Sequence, residues 1–377
     1  MTQVFDYLQI TGYRGLEMAE LSQLGAVNIF VGNNNSGKTS LLEAISILCN
    51  PLDPFRWLEV SQRRLYLGRT PMVFRPDLEA MKWIFPQKIG SLSSESYQGQ
   101  MLIKSSGNTP VSEIDARLVE IYGVGSEKNS QEKINDDILS SETDAIIPGI
   151  ELEIITQISE QISLFPPEKE PRAAVFQFWE NERFIQRKRS QQLIKNATIF
   201  PSYSSSEPIL DKLSQIILQE EDGKVKVLEL IRSFDDNILD IEITSTPTAR
   251  ATLYIKHKDI GFAPLYIFGD GFKRTLMIAL TALTTANGVV LIDEIETSIH
   301  VSALSRVFSW LIKTCNHLNT QLFVTTHSLE AIDAMLQPEI TTDNVVAFRL
   351  NSQGEAPQRF SGNLLHRLRS ERGLDVR

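Results

Sequence analysis

Cysteine is nearly absent: only Cys49 and Cys315 stand in a chain of 377 residues. Both lie in apolar segments of helical period, and no CxxC pair exists. A disulfide framework and a zinc site of that kind are therefore excluded, and both thiols read as buried and inert. No apolar run reaches about 18 residues, so no membrane-spanning helix is expected. The first fifteen residues lack a charged segment followed by an apolar one, and no secretory signal is read. An excess of positive charge is missing too, since 37 Lys and Arg face 47 Asp and Glu, a net charge of −10. That balance argues against coating nucleic acid by charge alone. A local basic groove stays compatible with it, because exposed charges are screened beyond about 8 Å. Neither an internal repeat nor a long heptad run occurs. These absences leave the expectation of a soluble, cytoplasmic globular protein.

What is present supports that expectation. Hydrophobic residues make up 42% and charged residues 22%, close to the globular average. At about 150 residues per domain the length suggests two or three domains. It is ample for a core without disulfide or metal staples. Val27–Val31 reads as a buried strand ending at Gly32, and a helix is predicted from about Gly37 to Leu48. Strands are read at 101–104 and 152–155. The polar segment 125–143 reads as a loop or variable insertion, and 173–199 as a strand followed by a charged helix. Helices are predicted near 209–219 and 225–234, and strands at 238–244 and 251–257. The last third alternates apolar strands at 289–292, 321–325 and 345–350 with a helix over 301–319. Continuous apolar strands separated by helices imply a parallel sheet covered on both faces.

Gly32-Asn33-Asn34-Asn35-Ser36-Gly37-Lys38-Thr39 fits GxxxxGK[ST] between a strand and a helix. A chance match in a chain of this length is about one in a hundred. The glycines allow a tight turn, and the loop and helix N–H groups form an anion cradle. Lys38 then balances β/γ-phosphate charge, and Thr39 offers a hydroxyl to Mg²⁺. Val290–Ile292 leads into Asp293-Glu294, two acids at a strand tip. Asp293 suits Mg²⁺, and Glu294 suits polarising the water that attacks a γ-phosphate. The next strand ends Thr326-His327-Ser328, where ligands bind parallel sheets, so His327 is a candidate γ-phosphate sensor. A lone histidine is otherwise more often structural. Phe268-Gly269-Asp270-Gly271 opens an apolar helix, with Asp270 as a candidate cap and its N-terminus as a second anion site.

The order of these motifs resembles the ABC-type ATPase heads of the SMC, RecF and OLD group. Gly269-Asp270-Gly271 corresponds to that group's signature, without the serine many such proteins carry. Ile10–Arg14 looks like its N-terminal strand and nucleotide-facing arginine, here Arg14. Asp293–His300 resembles the Walker B and D-loop of OLD-like, AAA-annotated ATPases, and Thr326–Ser328 their H-loop. The resemblance covers roughly 1–50 and 195–350. It implies an α/β fold, a P-loop NTPase of ABC-ATPase-head type. Such a fold has a parallel-sheet core, an antiparallel β lobe and a mostly helical insertion. The chain then divides into 1–54 with the P-loop, an inserted β/helical region over 55–200, and 201–377 with the remaining motifs.

It further implies ATP and Mg²⁺ as cofactors. ATP would be held by Arg14, Asn33, Asn34, Asn35, Ser36, Gly37, Lys38, Thr39, Ser40, Gly269, Asp270 and Gly271, and the metal by Thr39 and Asp293. Glu294, His327 and Lys38 would be the catalytic set. Gln62, Gln87, Gln98 and Gln100 are candidates for a Q-loop glutamine. Two heads would bind head to tail, with each ATP between Gly32–Thr39 of one protomer and Gly269–Gly271 of the other.

Missing heptads disfavour a chromosome-clamping arm, and the acid-poor tail leaves no room for a Toprim nuclease. The expectation is therefore a standalone ATPase that regulates a separate effector, a nuclease or toxin, in prokaryotic anti-phage defence. The alternative is a RecF-like repair ATPase binding duplex DNA. Arg183, Arg187, Lys188 and Arg189, beside Phe176, Phe178, Trp179 and Phe184, form one candidate nucleic-acid segment. A core strand followed by a solvated helix face is the favoured reading of it.

Overall fold

The computed structural model describes residues 3–65, 75–87, 96–125, 145–159, 169–182, 190, 192–200, 207–219, 222–232, 234–246, 249–336, 344–351 and 355–377. An antiparallel pair opens the chain, β1 (Tyr7–Tyr13) and β2 (Leu16–Ser22), joined by a turn in which Arg14 adopts φ 50°. The next strand, β3 (Val27–Val31), is buried along its whole length. Helix α1 (Lys38–Cys49) leaves the glycine-rich loop, and α2 (Pro54–Gln62) follows, started by the Asp53 side chain accepting from the Phe55 N–H.

After the short helix α3 (Leu78–Lys82) come β4 (Gln98–Ser106), β5 (Val111–Gly125), β6 (Ala145–Ser159) and β7 (Lys169–Trp179). Here the apolar period is two. Met101 and Ile103, then Ile114, Ala116 and Leu118, then Ile150, Leu152 and Ile154 are all buried, and the residues between them are more open. These strands pair antiparallel with the N-terminal pair in the order β2-β1-β4-β5-β6-β7. The antiparallel lobe thus draws on both the first 54 residues and the inserted region. Among the described residues of 55–200, helix is confined to α2 and α3, and the rest of the regular structure is strand.

The strand β8 (Asn196–Ile199) returns to the parallel sheet. Helices α4 (Glu207–Gln219) and α5 (Gly223–Arg232) lead to a three-stranded meander of β9 (Ile238–Thr246), β10 (Ala249–His257) and β11 (Gly261–Pro264). The C-terminal third then alternates α6 (Asp270–Thr284), β12 (Val289–Ile292), α7 (Val301–His317), β13 (Gln321–Thr326), α8 (Leu329–Met335) and β14 (Val345–Arg349). It closes with β15 (Gln358–Ser361) and α9 (Gly362–Ser370). The central sheet has the order β15-β14-β3-β13-β12-β8, parallel except at β15. It recruits β8, so the partition at residue 200 does not follow the sheets.

Alternation within single strands splits the core in two. Ile29, Val290, Ile292 and Val324 join the cluster under α6 and α7. Phe30, Val289, Leu291 and Phe323 join the cluster shared with α1 and the antiparallel lobe. The sheet is therefore apolar on both faces, as parallel sheets must be. Asn28, polar inside β3, is satisfied by the Gly25 N–H and by the Gly25 and Leu322 carbonyls. Cys49 and Cys315 are free and fully buried, and burial pushes both thiols up to about 12.

No helix among the described residues is long and apolar enough to cross a membrane. Segment 125–143 lies outside the described residues except for Gly125, which ends β5. The basic segment Arg183, Phe184, Arg187, Lys188 and Arg189 lies outside them too.

Candidate active site

Loops that follow β3 and β12 meet at the C-terminal edge of the parallel sheet. The first joins β3 to α1. Gly32 adopts φ 150° there, and a Cβ at this position would meet the Leu350 carbonyl at 2.5 Å and the Ser36 hydroxyl at 2.7 Å. Gly37 adopts φ 91°, and its missing Cβ leaves room for the Leu16 side chain. No side chain caps the first turn of α1, and that turn holds no acid, so its N–H groups remain donors for an anion. The Lys38 ammonium folds back over the loop and donates to the Gly32 and Asn33 carbonyls, each at 2.8 Å. Burial lowers its pKa, opposed by the charges of Asp293, Glu294 and Glu296.

The second loop leaves β12. Thr39 Oγ1 lies 3.1 and 3.0 Å from the two carboxylate oxygens of Asp293. Thr325, on the neighbouring β13, donates to Asp293 Oδ1 at 2.6 Å and accepts from the Glu294 N–H at 2.8 Å. Burial raises the pKa of Asp293, and the hydrogen bonds from Thr325 and Thr39 hold it down. Glu294 has φ 44°, outside the usual range for a residue with a side chain. Its Oε2 accepts from Thr297 Oγ1 at 3.2 Å.

A cleft of about 520 Å³ joins these groups. Arg14, Asn34, Asn35, Ser36, Gly37, Lys38, Thr39, Ser40, Asp293 and Glu294 all line it, with Leu16, Met18, Arg64, Asn351 and Glu355 among the other walls. Asn33 contributes through its carbonyl to Lys38. Residues 269–271 and His327 stand outside the lining, as do Gln62, Gln87, Gln98 and Gln100.

The structure places three expected groups differently from their simplest reading. Arg14 borders the cleft, but its guanidinium turns onto Glu43 (2.8 Å), the Val60 carbonyl (3.2 Å) and the Trp83 carbonyl (3.4 Å). Asp270 does not cap α6; Gly269 is the capping residue, and the Asp270 carboxylate is exposed and pairs with Lys273 at 3.1 Å. Gly271 carries the backbone of Ser298, where a Cβ would collide with the Ser298 carbonyl, whereas Gly269 faces open space. His327 is half-exposed, with Nδ1 3.1 Å from Glu296 Oε1.

Several participants escaped sequence reasoning. Arg64 donates to Glu43 at 3.1 and 2.9 Å and to Ser40 Oγ at 3.0 Å. Arg274, buried on α6, donates to the Asp293 carbonyl at 2.7 Å and the Phe200 carbonyl at 2.5 Å. Burial lowers its pKa to about 10. Glu43, wholly buried on α1, gathers Tyr13, Arg14 and Arg64. Only the register of Glu43, one turn beyond Thr39 on the same helix, signalled a role.

The oxygen donors of Thr39 and Asp293 fit Mg²⁺, which takes one or two carboxylates and completes its shell with phosphates and water. Among the described residues no cluster of three or more His, Cys, Asp or Glu is placed to hold a metal by itself.

Comparison with known proteins agrees with this chemistry. Residues 120–333 match a family described as "AAA domain, putative AbiEii toxin, Type IV TA system", and residues 6–80 match an AAA ATPase domain. A stretch of 112 residues is 34% identical to an uncharacterized protein of Methanocaldococcus jannaschii, covering 29% of this chain and 98% of that protein. Another of 111 residues is 33% identical to an ATP/GTP phosphatase of Helicobacter pylori, covering 28% of this chain but only 29% of that protein. The chain also resembles an SMC head bound to the C-winged helix domain of ScpA, at TM-score 0.47 and 10% identity over 95% of this chain and 97% of that one. For the SMC head domain of Thermotoga maritima the values are 0.38 and 12%, over 95% and 98%. Because the first match spans more than half of its residues, the chain belongs to this family of AAA domains, and it is an ATPase.

Proposed function

We propose that the cleft binds ATP with Mg²⁺ and that Glu294 serves as general base for hydrolysis. The observation that carries this reading is the meeting of Thr39 and Asp293, with Lys38 and Glu294 lining the same cleft. Lys38 and the α1 N–H groups bind the β- and γ-phosphates. Glu294 orients a water and accepts its proton, and His327 senses the γ-phosphate. Mg²⁺ held at Thr39 and Asp293 would neutralise phosphate charge during transfer.

The reading extends to a head-to-tail dimer in which Gly269–Gly271 of one protomer faces the nucleotide of the other. The open surroundings of Gly269, and the exposed Tyr266 and Ile267 beside it, support this. On this reading the dimer works in the cytoplasm and regulates a separate effector, a nuclease or toxin, in anti-phage defence. The family description, which mentions a putative toxin of a type IV TA system, supports a partnered role.

Light scattering on the purified protein tests the dimer: ATP with Mg²⁺ should double the mass, and ADP should not. Co-purification of a neighbouring gene product would favour the effector role. Turnover stimulated by duplex DNA, with no such product, would instead favour the RecF-like alternative.

A further inference from the structure

We infer that Glu296 is a positioning residue for His327, the two side chains forming one carboxylate–imidazole pair between the loops that follow β12 and β13. The inference rests on the reading of His327 as γ-phosphate sensor. Glu296 lies two residues past the proposed base, on the turn leaving β12, and His327 follows the last residue of the adjacent strand β13. Glu296 Oε1 accepts from the His327 backbone N–H at 3.0 Å and lies 3.1 Å from Nδ1 of the ring. The carboxylate is 12% exposed and the imidazole 50% exposed.

An ionised carboxylate has no hydrogen to give, so this contact is attractive only with the hydrogen on Nδ1. That fixes the tautomer and leaves Nε2 as the free ring nitrogen. The backbone bond alone would tie the two loops together. The ring contact adds something a tether does not need, an oriented imidazole plane and an oriented Nε2. The loops are themselves anchored, since Ile295 N–H donates to the Thr325 carbonyl at 3.1 Å and Ser328 N–H to Thr326 Oγ1 at 3.0 Å.

Glu296 Oε2 is the second observation. It is buried and has no hydrogen-bond donor. An acidic oxygen kept in that condition is a cost to stability, and such groups concentrate where function requires them. Glu296 also lies close enough for its charge to favour the protonated form of Lys38, which puts it in the field of the phosphate site.

The test is a double-mutant cycle on steady-state ATP hydrolysis by the full chain, with ATP binding followed separately by a fluorescent analogue. Glu296→Ala should lower kcat by about 10- to 100-fold, the range seen for partners that orient metal-bound histidines. KM and analogue binding should change by less than about threefold, as for a residue that acts only in the transition state. Glu296→Gln, which keeps an acceptor oxygen for the His327 N–H and beside its ring, should recover part of the loss. In a His327→Ala background Glu296→Ala should cost nothing further. Should Glu296→Ala fail to fold, the Gln variant carries the same cycle. Additive losses, or a Glu296→Ala protein at the original kcat, would overturn the inference. A His327→Ala protein at the original rate would overturn the sensor reading itself, and the inference with it.

Discussion

Thr39 and Asp293 are 254 positions apart, yet the threonine hydroxyl stands 3.0 and 3.1 Å from the two carboxylate oxygens. Thr39 opens the helix that follows β3, and Asp293 follows β12. β13 lies between β3 and β12 in the sheet, and its Thr325 supplies a further hydroxyl to Asp293. The pairing thus depends on sheet order as well as on the two motifs.

Asp293 should trade stability for chemistry. Its folded pKa is raised above the ordinary 3.8 by burial. The native state therefore holds this proton more tightly than the unfolded chain does. Its contribution is fully present below pH 3.8 and is lost as pH rises through the folded pKa. At neutral pH, Asp293→Asn should melt no lower than the wild type, and this advantage should shrink toward acid. Its hydrolysis should fall by about 10²-fold or more, because metal charge compensation supplies several kcal/mol. Thermal melts across the mildly acidic to neutral range, paired with phosphate release, check both halves.

The two glycines at the start of α6 should behave oppositely. Gly271→Ala drives a Cβ into the Ser298 carbonyl and should cost about 1–3 kcal/mol of stability. Gly269→Ala has open space around it and should change the monomer's stability by less than about 1 kcal/mol, the weaker cap offsetting the entropy gain. If this surface meets a second protomer's nucleotide, Gly269→Ala should still weaken ATP-dependent dimerisation. Denaturant unfolding and light scattering separate the two effects.

Glu43 should prove a structural keystone. Its buried carboxylate holds Arg14, whose side chain is only 11% exposed, and the more open Arg64. Glu43→Ala leaves Arg14 without its counter-charge and should cost about 3–5 kcal/mol. Urea unfolding monitored by tryptophan fluorescence measures it, and a loss below 1 kcal/mol would show that the cluster contributes little.

Much of this site is legible in the sequence because its parts are local. The loop 32–39 declares itself by spacing, and the β12 edge by four apolar residues followed by two acids. The parallel sheet is legible for the same reason, since strands buried on both faces must be continuously apolar. The pairings are not local and leave no such trace. Nothing near Arg274 announces that its guanidinium reaches the Asp293 carbonyl. Nothing near Tyr7–Tyr13 announces that its partner begins at Gln98. Arg14 illustrates the limit: its place at the end of the first strand was readable, but the direction of its guanidinium depends on Glu43, Val60 and Trp83.

The most direct test of the whole account compares ATP binding and ATP hydrolysis in Glu294→Gln and Lys38→Ala. The account predicts that Glu294→Gln binds ATP as the wild type does, accumulates as an ATP-bound dimer and hydrolyses about 10²- to 10⁴-fold more slowly. Lys38→Ala should lose binding itself. Hydrolysis by Glu294→Gln at the wild-type rate, or full ATP binding by Lys38→Ala, would contradict it.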